Sequence, residues 1–86
     1  MERVQIELYS EASNNAIVRV PGRQFPGMVV QGDTLASLHA SAMDLSLRLK
    51  QLGVGDEEIL YGAQDLQEQL LDRLLHYQQV LAAQGI

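Results

Sequence analysis

Two histidines are the side chains best able to bind a metal ion, and their spacing does not predict a site. His39 and His76 fall in two different helical segments, and neither has a second histidine four residues away. Zinc sites built on a helix use such an i, i+4 pair. The chain has no cysteine, which excludes thiolate ligands and cysteine nucleophiles. We therefore expect surface histidines, no metal ion and no cofactor.

Motifs for nucleophilic or phosphate chemistry are missing from the sequence as well. The serines lie outside any Gly-x-Ser-x-Gly elbow, and no base is evident beside them. Gly22, Gly27 and Gly32 recur every five residues, but this spacing matches neither dinucleotide-binding nor Walker loops, and Asp33 would repel a phosphate. We predict turn glycines and a protein that is not an enzyme and has no small-molecule substrate.

The acidic charge lies in the second part of the chain. Charges cancel over residues 1–32, so the net charge of −5 belongs to residues 33–86. Nucleic acids bind basic surfaces that displace phosphate counterions, and this part of the chain has the opposite sign. The charge therefore argues against a nucleic-acid partner and favours a basic protein partner. The other explanation is a solvated acidic face that keeps a small protein in solution.

Length and composition predict one domain, residues 1–86. A chain of this size buries only about 60% of its unfolded surface, so a second copy would stabilise it, and we expect a homodimer. The first residues lack the apolar core of a signal peptide, and no run approaches about 18 apolar residues. Together with the lack of cysteine, this predicts a cytoplasmic protein that does not bind a membrane.

Three antiparallel strands are predicted in the first part of the chain. Apolar and polar residues alternate in the first of them, with Val4, Ile6 and Leu8 on one face, which is typical of a strand with one buried side. Ser10–Asn15 should connect it to the second strand, and Pro21–Gly22 should turn the chain toward the third. The three predicted strands span residues 2–10, 16–20 and 27–31.

The first helix should span residues 33–52, with Asp33 as its N-cap and Gly53 as a left-handed C-cap. Two apolar stripes run along it, separated by polar flanks that include His39 and Ser46. The main stripe consists of Leu35, Leu38, Ala42, Leu45, Leu49 and Leu52. The second consists of Ala36, Ala40, Met43 and Leu47. A helix that is apolar on two sides must be covered twice, by the sheet and by the second helix or another subunit.

The second helix should span residues 56–84, with Gly85 capping its end. Gly62 weakens its interior by about 1 kcal/mol, so a short strand at 59–61 followed by a helix from Asp65 stays open as an alternative. Its main apolar stripe consists of Ile59, Ala63, Leu66, Leu70, Leu74, Tyr77 and Leu81. The predicted fold class is α+β, a three-stranded meander followed by two helices packed on one of its faces.

Residues 25–35, with the sequence FPGMVVQGDTL, join a short apolar strand directly to a helix start. With Val18–Pro21 upstream, this segment resembles the N-terminal domain of HicB-type antitoxins, which has a partial ribonuclease H fold. The whole chain also resembles a small, functionally uncharacterised bacterial domain family with the same Tyr-Ser-Glu-Ala-Ser-Asn and Phe-Pro-Gly features. The HicB resemblance implies a protein that masks a small basic RNA-cleaving toxin.

From this resemblance we predict a non-enzymatic, protein-binding module that neutralises a small basic toxin by direct binding. The alternative is an orphan homo-oligomer with a scaffold or regulatory role. Tyr9, Arg23 and Phe25 lie in the strand part and are the predicted partner-binding residues, because aromatic and arginine side chains carry much of the energy of protein interfaces. The alternative for Phe25 is burial beneath the turn.

Overall fold

The computed structural model describes residues 2–10 and 15–86, in which three strands are followed by two helices. The elements are β1 (Glu7–Ser10), β2 (Ile17–Arg19), β3 (Gly27–Met28), α1 (Gly32–Gln51) and α2 (Glu57–Ala83). The strands pair antiparallel in the order β1-β2-β3. The predicted α+β class and the meander are therefore confirmed.

The chain divides into two compact units. The strand unit is Met1–Gln31, and the helical unit is Gly32–Ile86. The first contains the three strands and the second contains both helices. That the two units form a single domain, with both helices on one face of the sheet, stays a prediction.

The strand unit is held by a short ladder with one irregularity. Three residue pairs stand opposite each other across β1 and β2: Glu7–Arg19, Leu8–Val18 and Ser10–Ile17. The register shifts between Leu8 and Ser10, where Tyr9 is the extra residue of a bulge. Beyond the pairing of β2 with β3, the Val29 N–H donates to the Ala16 carbonyl at 2.8 Å.

The strands are shorter than the sequence predicts. β1 begins at Glu7 rather than at residue 2, β2 lies inside the predicted 16–20, and β3 covers only the start of the predicted 27–31. A strand extends only as far as its neighbour can pair with it, and the middle strand has three residues. The predicted connection Ser10–Asn15 runs through residues 11–14, which lie outside the described part of the chain.

The sequence predicts that one face of the first strand is buried, and the structure contradicts this. Val4, Ile6 and Leu8 are 67%, 46% and 51% exposed. Alternation decides which residues share a face, but burial also needs a second layer over that face. The buried apolar side chain among the described strand residues is instead Val18 of β2, which is 7% exposed.

The turn after β2 is the predicted one. Gly22 follows a proline at its centre, and the Arg23 N–H donates to the Val20 carbonyl at 3.0 Å. The φ of Gly22 is +84°, which glycine adopts without steric cost, so the Pro-Gly order fits a type II turn. Of the three glycines predicted in turns, Gly22 alone is in one, because Gly27 belongs to β3 and Gly32 to α1.

Helix α1 begins before its predicted N-cap. Gly32 is its first residue, so Asp33 lies in the first turn and the prediction of Asp33 as N-cap is wrong. Its carboxylate still accepts a hydrogen bond from the Thr34 N–H at 2.8 Å, which pairs one of the free N–H groups of this end. The ring of Tyr77 lies so close to Gly32 that a Cβ atom there would overlap it. A side chain at this position would therefore require the Tyr77 ring to turn or move.

Both helices end in the predicted left-handed glycine. Gly53 has a φ of +72°, its N–H donates to the Lys50 carbonyl at 3.1 Å, and the Val54 N–H donates to the Leu49 carbonyl at 3.2 Å. These two bonds form a Schellman motif, with apolar residues at the positions that usually contact each other. Gly85, with a φ of +76°, ends α2 in the same way.

Helix α2 is continuous from its first turn. The Asp56 side chain caps it by accepting hydrogen bonds from the N–H groups of Glu58 at 3.0 Å and Ile59 at 3.3 Å. The helix then runs through Gly62 without interruption. The preferred prediction of a single helix is confirmed, and the alternative of a short strand at 59–61 is wrong, because the cap at its start is satisfied.

The two helices contact each other along a line that differs from the predicted stripe. On α1 this contact line is centred on Ala42 and Ser46, both 6% exposed, and continues through partly buried Leu35, His39 and Leu49. Leu45, which the stripe predicts to be buried, is 51% exposed. The distance between packed helices depends on the side chains between them, so small residues at the centre of the contact line favour a close approach.

His39 and Ser46 therefore belong to the contact line and not to a polar flank. The Nε2 atom of His39 is buried, and it has no hydrogen-bond partner in the part of the chain that the structure describes. The prediction of surface histidines is wrong for His39, whereas His76 is exposed.

On α2 the contact line also departs from the predicted stripe. Its partly buried residues are Leu60, Ala63, Gln67, Leu70, Leu71, Leu74 and Leu81. Three residues of the predicted stripe, Ile59, Leu66 and Tyr77, are instead 50%, 49% and 39% exposed. Each helix thus turns part of its apolar stripe away from the other helix.

Candidate partner-binding surface

A cluster of three polar side chains is built by the register of β1 and β2. Glu7 and Arg19 stand directly opposite each other, so their side chains share one side of the sheet, and Tyr9 follows two residues later on β1. The Arg19 guanidinium donates to Glu7 Oε1, and the Tyr9 hydroxyl donates to Glu7 Oε2 at 2.5 Å. A single carboxylate thereby orients one cation and one phenol on the exposed strands.

These contacts set the charge states of the cluster. The hydrogen bond from Arg19, followed by that from Tyr9, lowers the pKa of Glu7 below its ordinary value. The same bond raises the pKa of Tyr9, since loss of the phenol proton would place two negative oxygens together. At neutral pH Glu7 is therefore ionised and Tyr9 keeps its proton, which stabilises their hydrogen bond.

A groove runs beside this cluster at the end of the sheet. Its volume is about 460 Å³, and Glu7 and Arg19 form part of its wall. Ile6 and Val20 contribute apolar surface, and Arg23 from the turn adds a second guanidinium. The groove can therefore accept an apolar side chain together with a hydrogen-bond acceptor or an anionic group.

Of the three residues that the sequence predicts for partner binding, one lines the groove and a second is joined to a groove residue by a hydrogen bond. Arg23 lines the groove, and Tyr9 is bonded to Glu7 in the groove wall. Phe25 is not part of the lining. Its side chain is 77% exposed, so the alternative that Phe25 is buried beneath the turn is wrong.

Glu7 and Arg19 are the two residues that the sequence analysis misses. Both occupy polar positions of predicted strands, and their opposite charges are a usable signal once the strands are paired. The bulge at Tyr9 shifts the register, however, and a bulge cannot be located from alternation alone.

We expect carbon-detected NMR titration of Glu7 to give a pKa below the ordinary value for glutamate. Arg19→Gln should raise that pKa, because it removes the larger of the two causes. Arg23→Gln is the matched control and should leave it unchanged. Since the folded-state pKa is lowered, the stabilisation from this cluster is present above the ordinary pKa and is lost as the pH falls through the lowered one. Equal Glu7 pKa values in the wild-type and Arg19→Gln proteins would show that the ion pair does not form in solution.

Over residues 2–10 and 15–86, no three histidine, aspartate or glutamate side chains come together as metal ligands could. In the same ranges neither helix has the length and apolar character needed to cross a membrane.

Comparison with known proteins gives the family. The model of a family of unknown function, DUF6959, matches residues 1–86. The chain belongs to this family. Searches of curated proteins and of solved structures gave no match. The description of DUF6959 states no activity, so a function has to be inferred from the surface of the protein itself.

Proposed function

We propose that this DUF6959 protein is a non-enzymatic, cytoplasmic protein-binding module that masks a small basic partner, a toxin being the partner that the HicB resemblance implies. The observation that carries the proposal is the state of Tyr9, whose ring is 55% exposed while its hydroxyl is held by Glu7. Glu7 is itself held by Arg19. Such a side chain is available to a partner and already oriented.

Pre-orientation matters because binding costs side-chain freedom. Immobilising one flexible side chain at an interface costs about 0.5–1.5 kcal/mol, and a phenol that is already hydrogen-bonded loses less. Tyrosine and arginine are also the residues that most often dominate interface energies. Tyr9 and Arg23 fit this role, with Phe25 as a further exposed aromatic contact.

The acidic residues of the helical unit are proposed to speed the encounter with a basic partner and not to form the contact. The net charge of −5 lies in residues 33–86, whereas Tyr9, Arg23 and Phe25 lie in the strand unit. Charges outside the contact act mainly on the rate of encounter and are screened by salt. We therefore expect the association rate with a basic partner to fall as the ionic strength rises, while the contact residues control the dissociation rate.

Co-expression with the product of an adjacent gene tests the proposal. The wild-type protein should restore growth of cells that express that product, and Tyr9→Ala combined with Arg23→Ala should abolish the rescue. The matched control is Tyr61→Ala combined with Arg48→Ala, the same change of residue types at exposed positions of the helical unit, which should still rescue.

Folding of each variant is checked by circular dichroism and thermal unfolding, so that a loss of rescue can be assigned to lost contact. Binding of the purified pair should weaken about 30-fold or more for the strand-unit variant, as expected when hot-spot residues are truncated. Unchanged rescue by a folded Tyr9→Ala, Arg23→Ala protein would overturn the proposal, as would failure of the wild-type protein to bind any neighbouring gene product.

A further inference from the structure

One side of the helical unit exposes a row of large apolar side chains. This helix face consists of Leu38, Leu45, Leu52, Ile59, Leu66 and Tyr77. Their exposed fractions lie between 39% and 79%. Apolar side chains grouped in a row, rather than scattered singly, are typical of interaction sites.

The helix face is formed by both helices together. At 3.6 residues per turn, Leu45 lies about 80° to one side of the α1 contact line and Leu66 about 90° to one side of the α2 contact line. Because the helices run in opposite directions, these rotations point to the same side of the pair. The opposite side of the helix pair contains a groove, which is lined by Lys50 of α1 and by Glu57 and Gln64 of α2.

The apolar stripes have the spacing of a four-helix bundle. Apolar residues follow at intervals of three and four over Leu35–Leu52 and over Ile59–Leu81. The centre of each stripe points about 50° away from the neighbouring helix, toward the helix face. In a square bundle each helix directs its stripe between its two neighbours, at roughly 45° from either. The helical unit therefore has the geometry of half a bundle.

We propose that the other half is the helical unit of a second copy of this chain, packed helix face to helix face about a two-fold axis. A partner with matching three-and-four spacing has to supply two helices, and the two helices of the described chain already form the first half. The strands have four, three and two residues, which is too short to present such a spacing. About a two-fold axis, the helix face of one copy contacts the same face of the other copy, so one surface supplies both sides of the interface.

The distribution of acidic groups permits this association despite the net charge. Glu57 lies in the groove opposite the helix face, and Asp65 and Glu68 line another groove that shares Tyr61 with it. These carboxylates are therefore directed away from the proposed interface. Like charges so placed are separated and screened at physiological ionic strength.

Light scattering of the full chain tests the proposal. The wild-type protein should have twice the 9.5 kDa mass of one chain at micromolar concentration. Leu45→Lys should raise the dimer dissociation constant about 100-fold or more, since each dimer loses the contact twice. Leu47→Lys is the matched control: Leu47 is 54% exposed on the other side of α1, and its replacement should leave the mass unchanged.

A second variant and a second measurement distinguish loss of the dimer interface from loss of folding. Leu66→Ser changes the same face from α2, and circular dichroism reports whether each variant keeps its helices. For the wild-type dimer the midpoint of thermal unfolding should rise with protein concentration. A wild-type mass of 9.5 kDa would overturn the proposal and assign the face to the strand unit or to a different protein. A dimeric Leu45→Lys protein or a monomeric Leu47→Lys protein would overturn it as well.

Discussion

Replacing Ala42 by aspartate should remove most of the stability of the helical unit. Ala42 is 6% exposed at the centre of the α1 contact line, and an aspartate there is too short to reach solvent. An uncompensated buried charge costs about 3–5 kcal/mol, which is comparable with the whole stability of a small protein. Urea unfolding followed by circular dichroism should show a midpoint shifted to much lower urea, or no folded baseline.

Ala40→Asp is the matched control for this change. Ala40 is exposed two residues earlier on the same helix, so its replacement costs only the difference in helix propensity, about 0.7 kcal/mol or less. The difference between the two variants isolates burial from propensity. Equal unfolding free energies for Ala42→Asp and Ala40→Asp would mean that the contact line between the helices is misplaced.

A methyl group on Gly32 should destabilise the protein through the ring of Tyr77. The Cβ of Gly32→Ala would overlap that ring, which must turn or move away from the first turn of α1. Overpacking of this kind costs about 1–3 kcal/mol. The loss outweighs the gain of about 0.4–1 kcal/mol that Gly→Ala brings where the backbone and the space allow it.

A double-mutant cycle separates the two effects. In a Tyr77→Ala background, Gly32→Ala should be neutral or slightly stabilising, because the overlap is gone. Gly62→Ala in the wild-type protein is the control: a Cβ there meets no atom within 4 Å, so the substitution should stabilise α2. A coupling energy near zero between Gly32 and Tyr77 would contradict the packing at this end of the helical unit.

The proposed partner surface and the proposed dimer use different parts of the chain. Tyr9 and Arg23 belong to the strand unit, whereas Leu45 and Leu66 belong to the helical unit. The mass of the purified protein does not depend on any partner, and growth rescue is compared between variants that keep the helix face intact. Each proposal can therefore fail without affecting the test of the other.

The candidate partner surface could be predicted only in part. Tyr9 and Arg23 are predicted on the exposed strand part, whereas the sequence leaves Phe25 open between exposure and burial. The hydrogen bonds that link Tyr9 to Glu7 and Glu7 to Arg19 could not be predicted, because they depend on which residues stand opposite each other across two strands. A shift of one residue would place Glu7 and Arg19 on opposite faces of the sheet.

Local signals by themselves determined the ends of both helices at Gly53 and Gly85, the start of α2 and the turn after β2. The caps at Gly53 and Gly85 and the turn at Gly22 occur where the sequence predicts them, and α2 begins within one residue of its predicted start. Each depends on hydrogen bonds and backbone angles within about six residues, so distant parts of the chain cannot change it. The order of three strands and two helices follows from the same local patterns.

Tertiary structure alone decided which apolar residues are buried. The heptad-like stripe on α1 includes both Ala42, which is buried, and Leu45, which is half exposed, and no local rule distinguishes them. Which of them is buried depends on α2, which covers Ala42 and Ser46 and leaves Leu45 outside the contact line. Burial requires two surfaces, and a sequence pattern on one helix describes only one of them.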